Sequence, residues 1–169
     1  ICKSLSLVDI ALLEHCIRDE LNKSAQRRIA VLDPIKVEIE NYPENKEEYF
    51  EISNNPNDPE AGKRKVKFTK NIYIDADDFC SDPPPKYFRL KPDGEVRLMG
   101  AYIIKYKDIV YKADGNIEKI ICTADIESGN GNPTDGRKVK GTIHWLSEDN
   151  CIDRDVYIYN NLFTIENTN

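Results

Sequence analysis

Two hydrophobic periodicities divide the chain, a helical one at the start and an extended one after it. Ser6 and Asp9 form an S-x-x-D pattern, which can cap the first turn of a helix reciprocally. Residues 22–24, Asn-Lys-Ser, end the helical pattern. Spacings of three and four residues predict one apolar stripe along this helix. The stripe consists of Ile10, Leu13, Ile17 and Leu21.

Beyond residue 25 the alternation takes a period of two. Residues 35–40 alternate Ile or Val with Lys or Glu, the pattern of a half-buried strand, and Asn41-Tyr42-Pro43 ends it. Residues 54–62 are rich in Asn, Pro and Asp and predict a loop. Two further strands are predicted around the apolar pairs Val66 with Phe68 and Ile72 with Ile74.

Three Asp-Gly pairs predict tight turns in the second half of the chain. Asp93-Gly94, Asp114-Gly115 and Asp135-Gly136 recur at intervals of 21 residues, and each precedes strand-like sequence. Asp-Gly supplies the positive φ angles of short hairpins. A hairpin is predicted most clearly around Asp114-Gly115. One helix followed by many strands with turn signals predicts a barrel class.

Residues 136–145 combine a basic run with a strand pattern. One predicted face carries Val139, Gly141, Ile143 and Trp145. The opposite face carries Lys138, Lys140, Thr142 and His144. The pattern therefore predicts a sheet surface with an apolar back and a cationic or polar front.

Composition narrows the classes of protein. The 169 residues suffice for one ordinary domain or two small ones, with 32% charged and 40% hydrophobic residues. No stretch is apolar enough for a membrane helix. The five cysteines are widely spaced without a C-x-x-C pair, so we expect reduced thiols in a cytoplasmic protein.

The net charge of −6 argues against nonspecific nucleic-acid binding. Basic residues are nevertheless clustered, and an acidic protein can present one basic face. The clusters are residues 63–70, with four Lys and one Arg, and residues 137–140, with one Arg and two Lys.

Motifs for catalysis and for metal binding are absent from the sequence. His15 and His144 have no recognisable nucleophile partner, and there is no phosphate-binding glycine loop. Residues 75–78, Asp-Ala-Asp-Asp, lack the glycine and distant glutamate of a calcium loop, so we interpret them as a strand end and turn. We predict neither a catalytic residue nor a metal site in this segment.

Three stretches together resemble glutaminyl-tRNA synthetases. They are residues 27–43, Arg-Arg-Ile-Ala-Val-Leu-Asp-Pro and onward; residues 87–98, with Tyr-Phe-Arg-Leu and Gly-Glu-Val-Arg-Leu; and residues 136–145. In this order they are similar to the anticodon-binding region of that family. The resemblance implies a mainly β fold, in which an N-terminal helix precedes two interleaved antiparallel β-barrels. Residues 1–25 would end a helical subdomain, and 26–169 would form the barrel region without the family's last strands. We expect strain or disorder near Asn169 for that reason.

The resemblance also implies a function. The segment would be the tRNA anticodon recognition module of a class I ligase that attaches glutamine to tRNA(Gln) using ATP and Mg²⁺. The H-I-G-H-like and K-M-S-K-S-like signatures of catalysis are absent, so no cofactor is expected in this segment. Its partners would be the tRNA(Gln) anticodon loop and the catalytic domain of the same chain, in a monomer.

Site residues follow from the same resemblance. Arg27 matches an arginine that reads the middle anticodon base, Arg89 one that reads the third base, and Arg97 one at the first base. Lys86 and Tyr87 share the motif of Arg89 and would help to splay or contact bases. Arginine suits this task because its planar fork of donors can bind base edges.

Met99 departs from the pattern, since better-studied members have a second arginine there. Because Arg89 and Arg97 flank Asp93-Gly94, we also expect them to face each other across a hairpin.

Two alternatives stay open. One is the barrel region of a glutamyl-tRNA synthetase, against which the intact residues 140–145, Lys-Gly-Thr-Ile-His-Trp, argue. The other is an unrelated RNA- or protein-interaction barrel without a link to aminoacylation.

Overall fold

The computed structural model describes residues 9–129 and 132–159. The chain divides into two compact units, one of residues up to Arg28 with Ser53–Lys63, the other of Ile29–Ile52 with residues from Arg64 onward. Within the described residues, no helix is long and apolar enough to cross a membrane.

The predicted N-terminal helix is present as α1, Ile10–Ser24. Asp9 is its N-cap, and the Asp9 carboxylate accepts a hydrogen bond from the Ala11 N–H at 2.9 Å. The helix therefore begins after Asp9, so that Asp9 precedes the first turn; Ser6, the other half of the predicted cap, lies outside the described residues. The predicted apolar stripe is 47–59% exposed.

The described residues form nine strands, which make the fold mainly β, as predicted. They are β1 Pro34–Ile39, β2 Glu48–Ser53, β3 Lys63–Phe68, β4 Asn71–Asp75, β5 Glu95–Leu98, β6 Ile103–Tyr111, β7 Ile117–Asp125, β8 Thr142–Ile143 and β9 Leu146–Ser147. Seven of them form one curled, half-barrel sheet in the order β8-β5-β6-β7-β1-β4-β9, and β2 and β3 form a second, small sheet.

Strands that are far apart in the sequence lie side by side at several places in the large sheet. β1 lies between β4, its antiparallel neighbour, and β7, which runs parallel to it. β5 likewise pairs antiparallel with β6 and parallel with β8. The curled sheet and the small second sheet are consistent with the predicted barrel class. The large sheet is mixed in direction, whereas the two predicted interleaved barrels were antiparallel.

The Asp-Gly turns differ in what they connect. Asp114-Gly115 joins β6 to β7, and Gly115 has a φ of 85° that only glycine adopts readily. This hairpin is confirmed. Asp93-Gly94 leads into β5, which pairs with β6 and β8. The expectation that Arg89 and Arg97 face each other across a hairpin is therefore wrong.

An aromatic cluster fills the core. The Phe68 ring packs edge-on against Tyr42 at 5.0 Å, Trp145 at 5.1 Å and Tyr102 at 5.3 Å between centroids. Phe50 of β2 completes the cluster. Sequence reasoning missed β2, because the surrounding acidic residues, Glu47, Glu48 and Glu51, hid the inward alternation of Phe50 and Ile52.

Residues 138–145 behave as their pattern predicts. Val139, Gly141, Ile143 and Trp145 are buried, whereas Lys138, Lys140, Thr142 and His144 are exposed. Thr142 and Ile143 alone in this stretch belong to a regular strand, β8. The alternation in the sequence therefore predicts burial correctly over residues 138–145, a longer stretch than the two residues of β8.

Two smaller expectations have an outcome in the structure. Residues Ala76–Asp78 form one turn of 3-10 helix capped by the Asp75 carboxylate, which confirms a strand end and turn. The described cysteines, Cys16, Cys80, Cys122 and Cys151, are free thiols. Burial raises the pKa of Cys122 to about 12. Cys2 and the region near Asn169 lie outside the described residues.

Candidate nucleic-acid interface

A shallow cationic pocket lies between the loop before β5 and the segment before β8. Five basic residues contribute to its lining, and Glu95 is the one carboxylate among the described lining residues. The basic residues are Lys86, Arg89, Lys91, Lys138 and Lys140. Sequence reasoning placed Lys86, Tyr87 and Arg89 at one site, and the structure brings these three together in this pocket.

The loop that carries these residues is anchored at both ends. Leu90 is fully buried, and its N–H donates to the Asp78 carbonyl at 3.0 Å while its carbonyl accepts from the Cys80 N–H at 3.2 Å. Tyr87 N–H donates to the Pro84 carbonyl at 3.2 Å, which closes the turn after the prolines. Lys86 in this turn has a φ of 68°, a conformation uncommon for a residue with a side chain.

Gly141 allows the two segments to meet. A Cβ atom at this position would lie 1.7 Å from the Phe88 carbonyl oxygen, a distance that no side chain tolerates. The Gly141 carbonyl also accepts a hydrogen bond from the Arg97 N–H at 3.0 Å. The glycine therefore brings the backbone of the Arg89 loop and the backbone of β5 against one strand segment.

Arg89 is fixed on one side and open on the other. Its Nε lies 3.1 Å from a carboxylate oxygen of Asp78, and its Nη1 donates to the Asp77 carbonyl at 3.0 Å. The Arg89 side chain is still 52% exposed, whereas that of Asp78 is 14% exposed. Burial raises the pKa of Asp78, and the Arg89 guanidinium partly offsets this rise. The arrangement holds the guanidinium plane before a ligand arrives.

Tyr87 supports this arrangement from the same side. Its hydroxyl donates to the Asp77 carbonyl at 3.1 Å, so Tyr87 and Arg89 share one acceptor. Burial raises the pKa of Tyr87, which keeps the phenol a neutral donor. Lys86, beside it, is exposed.

Phe88 is a pocket residue that sequence reasoning did not single out. Its ring is 50% exposed, and the Lys140 ammonium lies 5.0 Å from the ring centroid, within the range of a cation–π contact. The available signal was an aromatic residue between Tyr87 and Arg89 in a loop. That signal was overlooked because the family pattern directs attention to the arginine.

Arg97 lies in β5 and Met99 follows it, and neither is among the described residues that line the pocket. Arg97 is half-buried in β5, with register partners Ile103 on one side and Thr142 on the other. Met99 N–H donates to the Ile143 carbonyl at 3.0 Å, and the Met99 carbonyl accepts from Trp145 Nε1 at 3.0 Å.

Arg27 belongs to the other compact unit, that of residues up to Arg28 with Ser53–Lys63. It is half-buried, and its Nη2 lies 3.5 Å from Asn22 Oδ1.

Ion pairs neutralise part of the basic clusters seen in the sequence. Arg137 binds three carboxylates: Nη2 to Asp125 at 2.6 Å, Nη1 to Asp135 at 2.7 Å, and Nε to Glu95 at 3.1 Å. In the other cluster, Lys67 lies 3.4 Å from Glu47. The basic surface is therefore smaller than the sequence indicates. Arg137 is paired with carboxylates, and its neighbours Lys138 and Lys140 are exposed.

His15 and His144 are both exposed. Among the residues that the structure describes, no three His, Cys, Asp or Glu side chains are grouped so that they could hold a metal ion.

Comparison with known proteins agrees with the geometry. The family described as "tRNA synthetases class I (E and Q), anti-codon binding domain" matches residues 25–125. Similar curated proteins include a glutamine–tRNA ligase of Bradyrhizobium diazoefficiens, 49% identical over 96% of this chain and 29% of the relative. Those of Clostridium perfringens and Vibrio campbellii are 47% and 46% identical, over 94% and 99% of this chain and 29% and 30% of the relatives.

The chain thus spans about three tenths of the length of these relatives. The family match covers residues 25–125, which hold the whole sheet except β8 and β9 and include the loop that carries Arg89. The chain belongs to the anti-codon binding domain family of class I tRNA synthetases (E and Q).

Proposed function

We propose that this chain is the tRNA anticodon recognition module of a glutaminyl-tRNA synthetase. The observation that carries the proposal is Arg89, whose guanidinium is held by Asp78 and by the Asp77 carbonyl at the edge of a cationic pocket. Bases of a single-stranded loop are recognised by donors of this kind and by aromatic faces, which a half-exposed Phe88 supplies.

Glutamine is favoured over glutamate as the amino acid of the parent enzyme. The similar curated proteins named above are glutamine–tRNA ligases, and the stretch Lys140–Trp145 is intact. The glutamate enzyme stays the alternative within the same family. An unrelated interaction barrel has no support, since the family match covers most of the described sheet.

The parent protein attaches glutamine to tRNA(Gln) in this proposal, with ATP and Mg²⁺ bound outside this segment. Residues 1–25 end its helical subdomain, and 26–169 belong to its barrel region. The module works next to the catalytic domain of the same chain, in a cytoplasmic monomer. This segment alone should give no glutamine- and tRNA-dependent ATP–pyrophosphate exchange; measurable exchange by the purified chain would contradict the proposal.

We assign the base contacts as the resemblance implies. Arg27 reads the middle base, Arg89 the third and Arg97 the first, with Lys86 beside Arg89. Tyr87 acts through the hydrogen bond of its hydroxyl to the Asp77 carbonyl, which also holds Arg89.

Binding of an anticodon stem–loop tests the proposal. Fluorescence anisotropy with the tRNA(Gln) stem–loop and with its third-base variant should show tighter binding of the cognate RNA. Arg89→Ala should abolish that preference, because a bidentate contact to a base contributes about 1–3 kcal/mol of discrimination. If Arg89→Ala weakened the binding of both RNAs equally, Arg89 would be a phosphate contact or a structural charge and would not read the base.

A further inference from the structure

We propose that Phe88 is a stacking platform for an unpaired nucleobase, and that Lys140 meets the phosphate next to that base. The inference rests on the proposed function and extends it, since it adds a second binding element to the one formed by Arg89. Stacking on an aromatic ring tolerates any base, whereas the guanidinium fork selects one.

The exposure of Phe88 is maintained by the structure. The segment around it is fixed at Leu90, which is fully buried, and at Gly141, whose missing side chain admits the Phe88 carbonyl. The ring is thus 50% exposed on a backbone that these two points anchor. A lone exposed apolar residue needs no explanation, but this one lies in a concave site that also contains Arg89.

The surroundings of the ring match a nucleic acid. The Lys140 ammonium lies 5.0 Å from the ring centroid, and Lys86, Lys91 and Lys138 line the same pocket. The carboxylate of the pocket, Glu95, is bound to Arg137 at 3.1 Å. Aromatic rings between cations are the arrangement that binds single-stranded RNA, with bases on the ring and phosphates on the cations.

Phe88 and Arg89 serve different bases in this proposal. The Tyr87 hydroxyl and the Arg89 guanidinium both reach the Asp77 carbonyl, whereas the ring of Phe88 lies against Lys140. The ring therefore supports a base that neighbours the one contacted by Arg89. Its contribution should be equal for cognate and third-base-variant RNA.

The experiment measures affinities of this chain for the tRNA(Gln) anticodon stem–loop and its third-base variant. Phe88→Ala should weaken both by the same factor, about 5- to 150-fold for one stacked base, so that their ratio is preserved. Phe88→Trp should retain binding, and Phe88→Leu, which keeps apolar bulk without a π face, should not. Full binding by the leucine variant would overturn the stacking assignment.

Two control variants separate stacking on Phe88 from general effects on affinity and charge. Tyr111 on β6 is 53% exposed and outside the pocket, so Tyr111→Ala should leave both affinities unchanged. Lys140→Gln should weaken both RNAs alike and reduce the salt dependence by about one phosphate contact. Thermal melts of each variant verify the fold.

Stem–loops with one abasic position each identify the stacked base. Phe88→Ala should have no further effect on the RNA that lacks that base, and its full effect on the others. If Phe88→Ala weakened the binding of every abasic stem–loop by its full factor, no single base would be stacked on Phe88. That result would overturn the inference and leave the proposed function intact. If the wild-type chain does not distinguish the cognate loop from its variant, the proposed function fails first.

Discussion

Replacing Asp78 by Asn should reduce third-base discrimination without unfolding the protein. Asp78 pairs with Arg89 Nε at 3.1 Å and is 14% exposed, so it fixes the guanidinium from beneath. Asparagine keeps the shape and one acceptor oxygen but loses the charge. Arg89 would retain its bond to the Asp77 carbonyl, 3.0 Å from Nη1.

The magnitude follows from the exposure of the pair. Because Arg89 is half exposed, the ion pair is screened and contributes at most about 1 kcal/mol. Asp78→Asn should therefore lower the ratio of cognate to third-base-variant affinity about fivefold. Arg89→Ala, which removes the guanidinium that we propose reads the base, should lower the ratio by the full 5- to 150-fold that about 1–3 kcal/mol represents.

Stability should respond differently from recognition. Burial raises the pKa of Asp78, so the folded protein binds this proton more tightly than the unfolded chain does. The stability that Asp78 contributes therefore falls as the pH rises through the ordinary and then the raised pKa. At neutral pH the uncharged amide of the Asp78→Asn variant avoids the cost of burying the ionised Asp78 carboxylate. We therefore expect the melting temperature of this variant to be close to that of the wild type.

Asp77→Asn is the matched control for this experiment. It makes the same chemical change one residue earlier in the same 3-10 turn, but Asp77 holds Arg89 through its backbone carbonyl. Anisotropy titrations should therefore give a wild-type ratio for Asp77→Asn. A ratio lowered equally in both variants would show that the charge of the turn matters in general, and would refute positioning by the Asp78–Arg89 pair.

Three further outcomes are expected. Gly141→Ala should lower the free energy of unfolding by about 1–3 kcal/mol, because its Cβ would meet the Phe88 carbonyl at 1.7 Å; urea denaturation unchanged from wild type would contradict this packing. Arg137→Met should lower the urea midpoint by leaving three carboxylates unpaired, yet leave the salt dependence of RNA binding unchanged; a smaller salt slope would make Arg137 a phosphate contact. Glu48→Gln should weaken the loss of stability at acid pH. The lowered pKa of Glu48 gives stability that is present above the ordinary pKa of Glu and is lost as the pH falls through the lowered pKa. A loss of stability at acid pH equal to that of the wild type would refute this prediction.

The Glu48 prediction depends on a small polar network at the edge of the core. Burial by itself raises the pKa of Glu48, but hydrogen bonds from Tyr102 at 2.7 Å, Tyr42 at 3.0 Å and Lys46 at 3.1 Å outweigh it and lower the pKa. The same carboxylate raises the pKa of both tyrosines further than burial does alone. Protonation of Glu48 therefore disturbs two aromatic residues of the core.

The sequence predicted most reliably the features that depend on local alternation. Residues 138–145 alternate between exposed and buried as their pattern requires, and β1 and the Asp114-Gly115 hairpin appear where expected. β2 was missed because the acidic residues in and just before it, Glu47, Glu48 and Glu51, resemble a solvated segment. Parallel pairing of β1 with β7 could not be predicted, since it joins segments that no local signal connects.

Three of the five residues that the sequence assigned to the site come together in the structure, but their partners could not be predicted. Lys86, Tyr87 and Arg89 do line one pocket, as a shared motif indicates. The pairing of Arg89 with Asp78 needs the one-turn 3-10 helix after β4, and the threefold pairing of Arg137 needs strands far apart in sequence. Charge counts along a chain cannot show which cations are neutralised in the fold.

Gly141 brings the loop that carries Arg89 and strand β5 together at one strand segment. Its absent side chain lets the Phe88 carbonyl approach, and its own carbonyl accepts a hydrogen bond from the Arg97 N–H at 3.0 Å. The residue before it, Lys140, places its ammonium 5.0 Å from the centroid of the half-exposed Phe88 ring. The inward-facing positions of this segment thus fix backbone distances, while the outward-facing ones supply charge. Because Gly141 contacts both the Arg89 loop and β5, a change at Gly141 should disturb the proposed base contacts of Arg89 and Arg97 together. Independent base contacts on separate loops would not show this coupling.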